Sequence, residues 1–240
     1  MVETITSKTN SKIKFACSLK TSKGRNEHKK FLAEGFKALE MALEANVVTE
    51  VFSLEKISLS KEVKLTLVSE EVLKKLSSMV NPEGVVFICK FIPVSNELGN
   101  KIIYLDGVND PGNMGTIIRT ALAFGFDAVC YSSGSVSPYN EKVIAASKGS
   151  IFKIPVIEMD ICILKLKYEI IVSALSDASI TPNEVNLQNN FVLVLGNETH
   201  GVKEETLSLA DVVVKIPISS IDSLNVAVAG GVLMYLLANK

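Results

Sequence analysis

Short apolar runs alternate with amphipathic stretches along most of this chain, and from residue 101 onward the alternation is regular. KIIYLD, DAVCYS, YEIIVSAL, FVLVLG and VVVKIP are short and largely apolar, and several are β-branched, as strands buried on both faces are. Between and after them, NMGTIIRTALAF, PYNEKVIAASK, KEETLSLA and SLNVAVAGGVLMYLLAN read as helices. Strands alternating with helices predict an α/β fold with a mostly parallel sheet covered on both faces.

The first ninety residues follow a different rhythm. Asn26 to Ala45 reads as one helix, with Phe31, Phe36, Leu39 and Leu43 near one face. VVTEVFS and VKLTLVS read as strands. Ser69 is placed to cap a helix over SEEVLKKLSSM, with Glu70 and Glu71 favourably set in its first turn. Asn81 to Gly84 is a turn signal, and VVFICKF is a further strand. This small α/β unit ends near Phe91. Residues 92 to 100, IPVSNELGN, read as a linker, which divides the chain into residues 1–95 and 96–240. No internal repeat or low-complexity tract is visible.

Composition narrows the class. At 240 residues, 48% hydrophobic and 21% charged, the chain is expected to be folded rather than disordered. A mean hydropathy of +0.31 raises a membrane reading. The longest candidate span, Val226 to Ala238, has thirteen residues, short of the ~18 that a spanning helix needs. MVETITSKTN has no apolar core of a secretory signal. Cys17, Cys89, Cys130 and Cys162 are far apart, without CxxC pairing or histidine at ligand spacing, so neither a metal site nor a disulfide framework is expected. The expected compartment is a reducing cytoplasm.

The net charge of −1 argues against nucleic acid until its distribution is considered. Residues 1 to 30 hold eight basic residues (Lys8, Lys12, Lys14, Lys20, Lys23, Arg25, Lys29, Lys30) against Glu3 and Glu27. That is a net of +6, which leaves −7 for the rest. A basic arm of this kind fits either phosphate binding or a solvated terminus.

Ligands of parallel sheets bind beyond the carboxyl ends of the strands, and three loops there have unusual composition. The first runs from Asp106 to Gly115 and leads into a helix carrying Arg119. Glycines allow close backbone approach, and a helix N-terminus offers free N–H groups. The chain has only two arginines, Arg25 and Arg119, against twenty-three lysines. An arginine in that setting points to a need for a planar, bidentate donor. The second loop, Leu195 to Gly201, places two glycines around Glu198; His200 beside them reads as a surface residue rather than a base. The third, Ile216 to Val226, enters the last helix, with Ser223 or Asp222 expected as its cap. Walker A, GxGxxG, GxSxG and HExxH patterns are absent.

Taken together, the three loops resemble the motifs of the SpoU (TrmH-like) family of RNA ribose methyltransferases. Asn113, Gly115 and Arg119 match its N-x-G-x-x-x-R motif. Gly196, Glu198 and Gly201 match its G-x-E-x-x-G motif. Ile216 to Val226 is similar to its third motif, I-P-M-x-G-x-x-x-S-L-N-V. FLAEGFKALEMALE, residues 31 to 44, also resembles the N-terminal substrate-binding domain of several members that modify ribosomal RNA. There are departures. Ile218 stands where methionine is frequent. The third motif is one residue shorter between Pro217 and Ser223 and lacks its glycine, with Ser219 or Ser220 nearest that place. Ala145 occupies a position where many members have arginine, with Lys148 close by.

The resemblance implies a trefoil-knotted methyltransferase domain preceded by a small α/β RNA-binding domain, working as a homodimer on structured RNA, ribosomal rather than transfer RNA. It implies S-adenosylmethionine as cofactor, held by backbone around Leu195, Gly196, Ile216, Ile218 and Leu224. Asn113, Arg119, Glu198, Ser223 and Asn225 would then surround the reaction. The family makes Arg119 a candidate proton acceptor. Arginine keeps its proton to a pKa above ~12, so phosphate binding and stabilisation of charge on the ribose oxygen fit its chemistry better. The alternatives are methylation of transfer RNA ribose or of a base nitrogen, and a non-catalytic RNA-binding protein of the same fold.

Overall fold

The computed structural model describes residues 3–59, 63–94, 97–176, 178–187 and 190–238. They form two compact units: Met1–Pro93 with Tyr139–Lys153, and Val94–Pro138 with Ile154–Lys240.

In the first unit the elements run β1 (Glu3–Ile5), α1 (Ser11–Ser18), α2 (Ser22–His28), β2 (Lys30–Glu34), α3 (Phe36–Glu44), β3 (Val48–Ser53), β4 (Lys64–Val68), α4 (Glu70–Leu76) and β5 (Val85–Lys90). The sheet order is β1-β4-β3-β5-β2. β1, β4 and β3 are parallel, while β5 runs antiparallel to both β3 and β2. Ser69 caps α4 as its sequence indicates, accepting from the Val72 N–H.

Two expectations fail here. Residues 26 to 45 do not form one helix. Lys29, in the left-handed region at φ 51°, ends α2, and Gly35 at φ 96° precedes α3. Between them Phe31, Leu32 and Ala33 are all buried in β2. A strand buried on both faces is a short apolar run, which periodicity cannot separate from a helix. Nor are residues 3 to 30 a free arm. β1 pairs with β4, and Ile13, Ala16 and Leu19 pack with Val72, Leu73 and Leu76. Asn10 and Thr21 cap α1 and α2. Much of the basic charge is engaged internally. Lys8 pairs with Glu71, and Lys12 with Glu3 and Glu50. Lys20 donates to the Ser77 carbonyl. Arg25 is buried and donates to the carbonyls of Leu19 and Lys20, so one of the two arginines is structural.

The second unit follows the alternation read from the sequence: β6 (Lys101–Asp106), α5 (Pro111–Ala123), β7 (Ala128–Tyr131), β8 (Val156–Glu158), α7 (Ile161–Lys165), β9 (Glu169–Ser173), β10 (Phe191–Gly196), α8 (Glu204–Leu207), β11 (Val212–Val214) and α9 (Val226–Ala238), while α6 (Glu141–Ser147), between β7 and β8 in the chain, is part of the first unit. β8 and α7 are too short, at three and five residues, to have shown a period. Every pair in this sheet is parallel, in the order β11-β9-β10-β6-β7-β8. Among the described residues, no helix is long and apolar enough to cross a membrane.

Residues 139–153 carry α6 and belong with the first unit although they lie far along the chain. The Tyr139 ring stacks on Phe91 at 4.1 Å and lies 4.7 Å from Phe31, and Phe152 stacks on Phe31 at 6.1 Å. The division expected between residues 95 and 96 falls outside the described residues. A single cut there would separate this aromatic cluster.

Candidate active site

The chain enters the second sheet at its centre, in β6. It builds outward through β7 and β8, then returns to the other side for β9, β10 and β11. The direction of winding therefore reverses between β6 and β10, and such a reversal opens a crevice at the carboxyl ends of the strands. The final register pair of β6 and β10 is Asp106 opposite Gly196. The first two sequence loops leave from these two residues.

Asp110 starts α5 by accepting from the Asn113 N–H at 2.8 Å, with Pro111 in the first turn. This turn is tied to the loop after β10 by Glu198. Its Oε1 accepts from the Asp110 N–H at 3.1 Å and from Asn113 Nδ2 at 2.9 Å, and its Oε2 accepts from the Asn109 N–H at 3.3 Å. Burial raises the Glu198 carboxyl pKa, but the bonds from Asn113 and the loop N–H groups outweigh it and hold the pKa below the usual value. Asn113 in turn accepts from Asn225 Nδ2 at 2.9 Å. A relay from Glu198 through Asn113 to Asn225 thus joins all three loops, though these residues are widely separated in sequence.

Asn225 is also the cap of α9. Its Oδ1 accepts from the N–H groups of Ala227 and Val228, and its carbonyl from Ala229. The cap expected at Ser223 or Asp222 is corrected accordingly. Ser and Asp are good caps, but the helix starts after an Asn, which caps equally well. Ser223 is exposed. Arg119 lies six residues beyond Asn113 on α5, about 9 Å along the helix axis. It is exposed, and among the described residues its guanidinium has no hydrogen bond or ion pair. The structure therefore brings Asn113, Glu198 and Asn225 together and leaves Arg119 and Ser223 open to solvent.

Leu195 and Gly196 are buried at the end of β10. A Cβ on Gly196 would lie 2.4 Å from the Gly201 carbonyl carbon and the Val202 nitrogen, so the turn closes only on glycine. On the other side α9 approaches so closely at Gly230 that a Cβ there would lie 2.6 Å from the Leu195 side chain. Ile216, Ile218 and Leu224 are half-buried. Among the described residues their N–H groups have no backbone acceptor. Half-buried apolar side chains beside free N–H donors are the lining that a purine and an amino-acid moiety require, so these residues fit an adenosyl cofactor. Ser220, one of the two serines nearest the place of the third motif's glycine, has φ 72°, in the left-handed region that favours glycine. Ser220→Gly is expected to raise stability by roughly 1 kcal/mol, measured as a higher denaturation midpoint.

Two residues went unremarked in the sequence. Asn197 donates to the Gly107 carbonyl and accepts from the Thr199 and His200 N–H groups, which gives the loop after β10 its shape. Asp106 is 1% exposed and accepts from the Lys203 N–H. A carboxylate ending an otherwise apolar strand was the available signal for it.

Residues 100–235 match the SpoU rRNA Methylase family, and residues 10–86 match the MRM3-like substrate binding domain. The 23S rRNA (guanosine(2553)-2'-O)-methyltransferase RlmP of Bacillus subtilis is 31% identical, over 96% of this chain and 97% of that protein. The 23S rRNA (guanosine-2'-O-)-methyltransferase RlmB of Acinetobacter baylyi is 31% identical, over 70% of this chain and 75% of that protein. The AdoMet-bound rRNA methyltransferase structure from Sinorhizobium meliloti superposes with a TM-score of 0.89, at 28% identity, covering 99% and 98% of the two chains.

Proposed function

Because the chain belongs to the SpoU rRNA Methylase family, we propose that it transfers the methyl group of S-adenosylmethionine to a ribose 2′-hydroxyl of structured RNA, with 23S ribosomal RNA as substrate. The observation that carries this reading is the Glu198–Asn113–Asn225 relay, which assembles three family motifs at the reversal point of the sheet. The test is incubation with labelled S-adenosylmethionine and ribosomal RNA, followed by nucleoside analysis. A 2′-O-methylated nucleoside is expected. A base-methylated product, or no transfer, would overturn the reading.

The bound cofactor supplies an electrophilic methyl carbon on a sulfonium, held by Leu195, Gly196, Ile216, Ile218 and Leu224. The remaining work is to align the ribose oxygen and stabilise the charge it gains as its proton leaves. Arg119, exposed on α5, is suited to hold the adjoining phosphate and that developing charge. Glu198 already accepts from four nearby donors, if the longer contact from Asn197 is included. Its role is then to position Asn113 and the loop after β6. Ser223 and Asn225 complete the surrounding of the reacting ribose.

The first unit supplies RNA affinity. Its charge is not equivalent from lysine to lysine, because Lys8 and Lys12 are paired with carboxylates and Lys20 with the Ser77 carbonyl. Lys14, Lys23 and Lys29 are exposed. Changing these three to Gln is expected to weaken RNA binding and to lower the salt dependence by ~0.7–0.9 in log–log slope per lost phosphate contact, with cofactor affinity unchanged. Unchanged slopes would remove these lysines from the RNA surface.

The protein works as a cytoplasmic homodimer with a trefoil-knotted catalytic domain. Along α9, Val228, Val232 and Tyr235 recur at helical spacing and are 54%, 38% and 57% exposed. Such a stripe on a folded helix fits an interface with a second copy. Sedimentation is expected to give about twice the 26.0 kDa chain mass, and Val232→Asp to give monomer.

A further inference from the structure

At the carboxyl ends of β6, β7 and β8, on the face that carries α7 and α8, lies a cavity of about 530 Å³ that the proposed reaction does not use. Its walls bring together four carboxylates, Asp106, Glu158, Asp160 and Glu205, against one ammonium, Lys203. Glu158, Asp160 and Glu205 are exposed at the rim, whereas Asp106 is 1% exposed. Asp106 Oδ2 accepts from the Lys203 N–H at 3.0 Å. Its Oδ1 has no hydrogen-bond partner, the single such buried side-chain atom among the described residues. Lys203 Nζ forms an ion pair with it at 3.4 Å without a hydrogen bond, and a second, looser one with Glu205 at 3.8 Å; its side chain is 46% exposed.

A buried carboxylate oxygen without a hydrogen bond is costly unless something donates to it. The same negative field acts on Tyr104, whose phenol is pushed well above its ordinary pKa, first by burial and then by the charges of Asp106 and Asp160. We propose that the cavity binds a linear aliphatic polyamine, in which two or three ammonium groups are joined by short methylene chains. Charge selects a cation: the four carboxylates and one lysine leave the walls at −3. Geometry argues against a metal ion, because among the described residues no three His, Cys, Asp or Glu side chains are placed to hold one. Apolar surface selects an organic cation, since Ile161 and Leu209 also line the cavity and would face methylenes. One ligand ammonium donates to Asp106 Oδ1 at the base, and another lies between Glu158 and Glu205 at the rim. Lys203, also an ammonium on a methylene chain, is the tethered competitor that swings out to solvent as the ligand enters.

The test is calorimetric titration of the full chain with spermidine, free of RNA and cofactor, so that its outcome is independent of the methyl-transfer reading. Saturable one-site binding is expected. Asp106→Asn keeps an acceptor for the Lys203 N–H and should weaken binding by at least about tenfold, as removal of a buried charge partner does. Glu158→Gln with Glu205→Gln, both exposed and safe for folding, should weaken it several-fold. Lys203→Gln should tighten it, which a merely structural Asp106–Lys203 pair would not do. The proposal is overturned by absence of saturable binding, by an unchanged affinity in a folded Asp106→Asn protein, or by magnesium chloride displacing spermidine as effectively as a second polyamine.

Discussion

Replacing Arg119 with Ala is expected to slow methyl transfer by about 10²–10³-fold, the loss typical of removing one preorganised donor from a developing negative charge. The fold and cofactor affinity should be retained. Arg119 is exposed on α5 and holds no other part of the protein among the described residues, so its removal leaves no buried group without a partner. The contrast with Arg25 is instructive. That guanidinium is buried against the Leu19 and Lys20 carbonyls, and burial pulls its pKa below the ordinary arginine value. Arg25→Ala should therefore lower the melting temperature while sparing turnover in whatever remains folded. Arg119→Lys is expected to recover little activity, because a point charge does not reproduce the planar fork. Single-turnover rates with saturating cofactor, together with cofactor titrations, decide the matter. An Arg119→Ala rate within a few-fold of the parent would remove Arg119 from the reaction.

Glu198→Gln is expected to reduce turnover by about 10–100-fold, since displacement of a reacting group by about 1 Å can cost that much. The glutamate accepts at both oxygens, from Asn109 and Asp110 N–H groups and from Asn113 Nδ2. A glutamine has one acceptor, and its amide N–H groups must face another donor. Asn113 would then lose its orientation toward Asn225, and the loops after β6 and β10 would separate. The same network sets a pH dependence. The folded-state pKa of Glu198 is depressed, so its contribution to stability is complete above the unfolded value, about 4.3. That contribution is lost as pH falls through the folded value. In acid the parent should lose stability relative to Glu198→Gln, and the difference between their denaturation midpoints should shrink as pH drops below about 4.3. A constant difference across that range would show that Glu198 is not held as the ionised acceptor.

Much of the second unit was legible because its strands are short apolar runs between helices with turn chemistry at each junction. KIIYLD and FVLVLG coincide with β6 and β10 to the residue. The three loops could be found from composition alone, since glycine, asparagine and carboxylates at strand ends have few other reasons to gather. The first unit was harder. Its second strand, KFLAE, is buried on both faces and has no period that separates it from the neighbouring helices. Its basic segment looks like an arm because charge is visible in a sequence and ion pairing is not: the partners of Lys8 and Lys12 include Glu71 and Glu50, far along the chain.

The sequence by itself determined the alternation of strand and helix, the positions of the three loops and the identity of the residues on them. These follow from local periodicity and residue chemistry, which each segment carries within itself. Only the tertiary structure decided that β6 and β10 are neighbours, that Glu198, Asn113 and Asn225 form one relay, that Asn225 rather than Ser223 begins α9, and that residues 139–153 pack with the first unit. Each of these depends on which distant segments meet. That is settled by strand pairing and by the burial of apolar faces across the whole chain, a property that no local window contains.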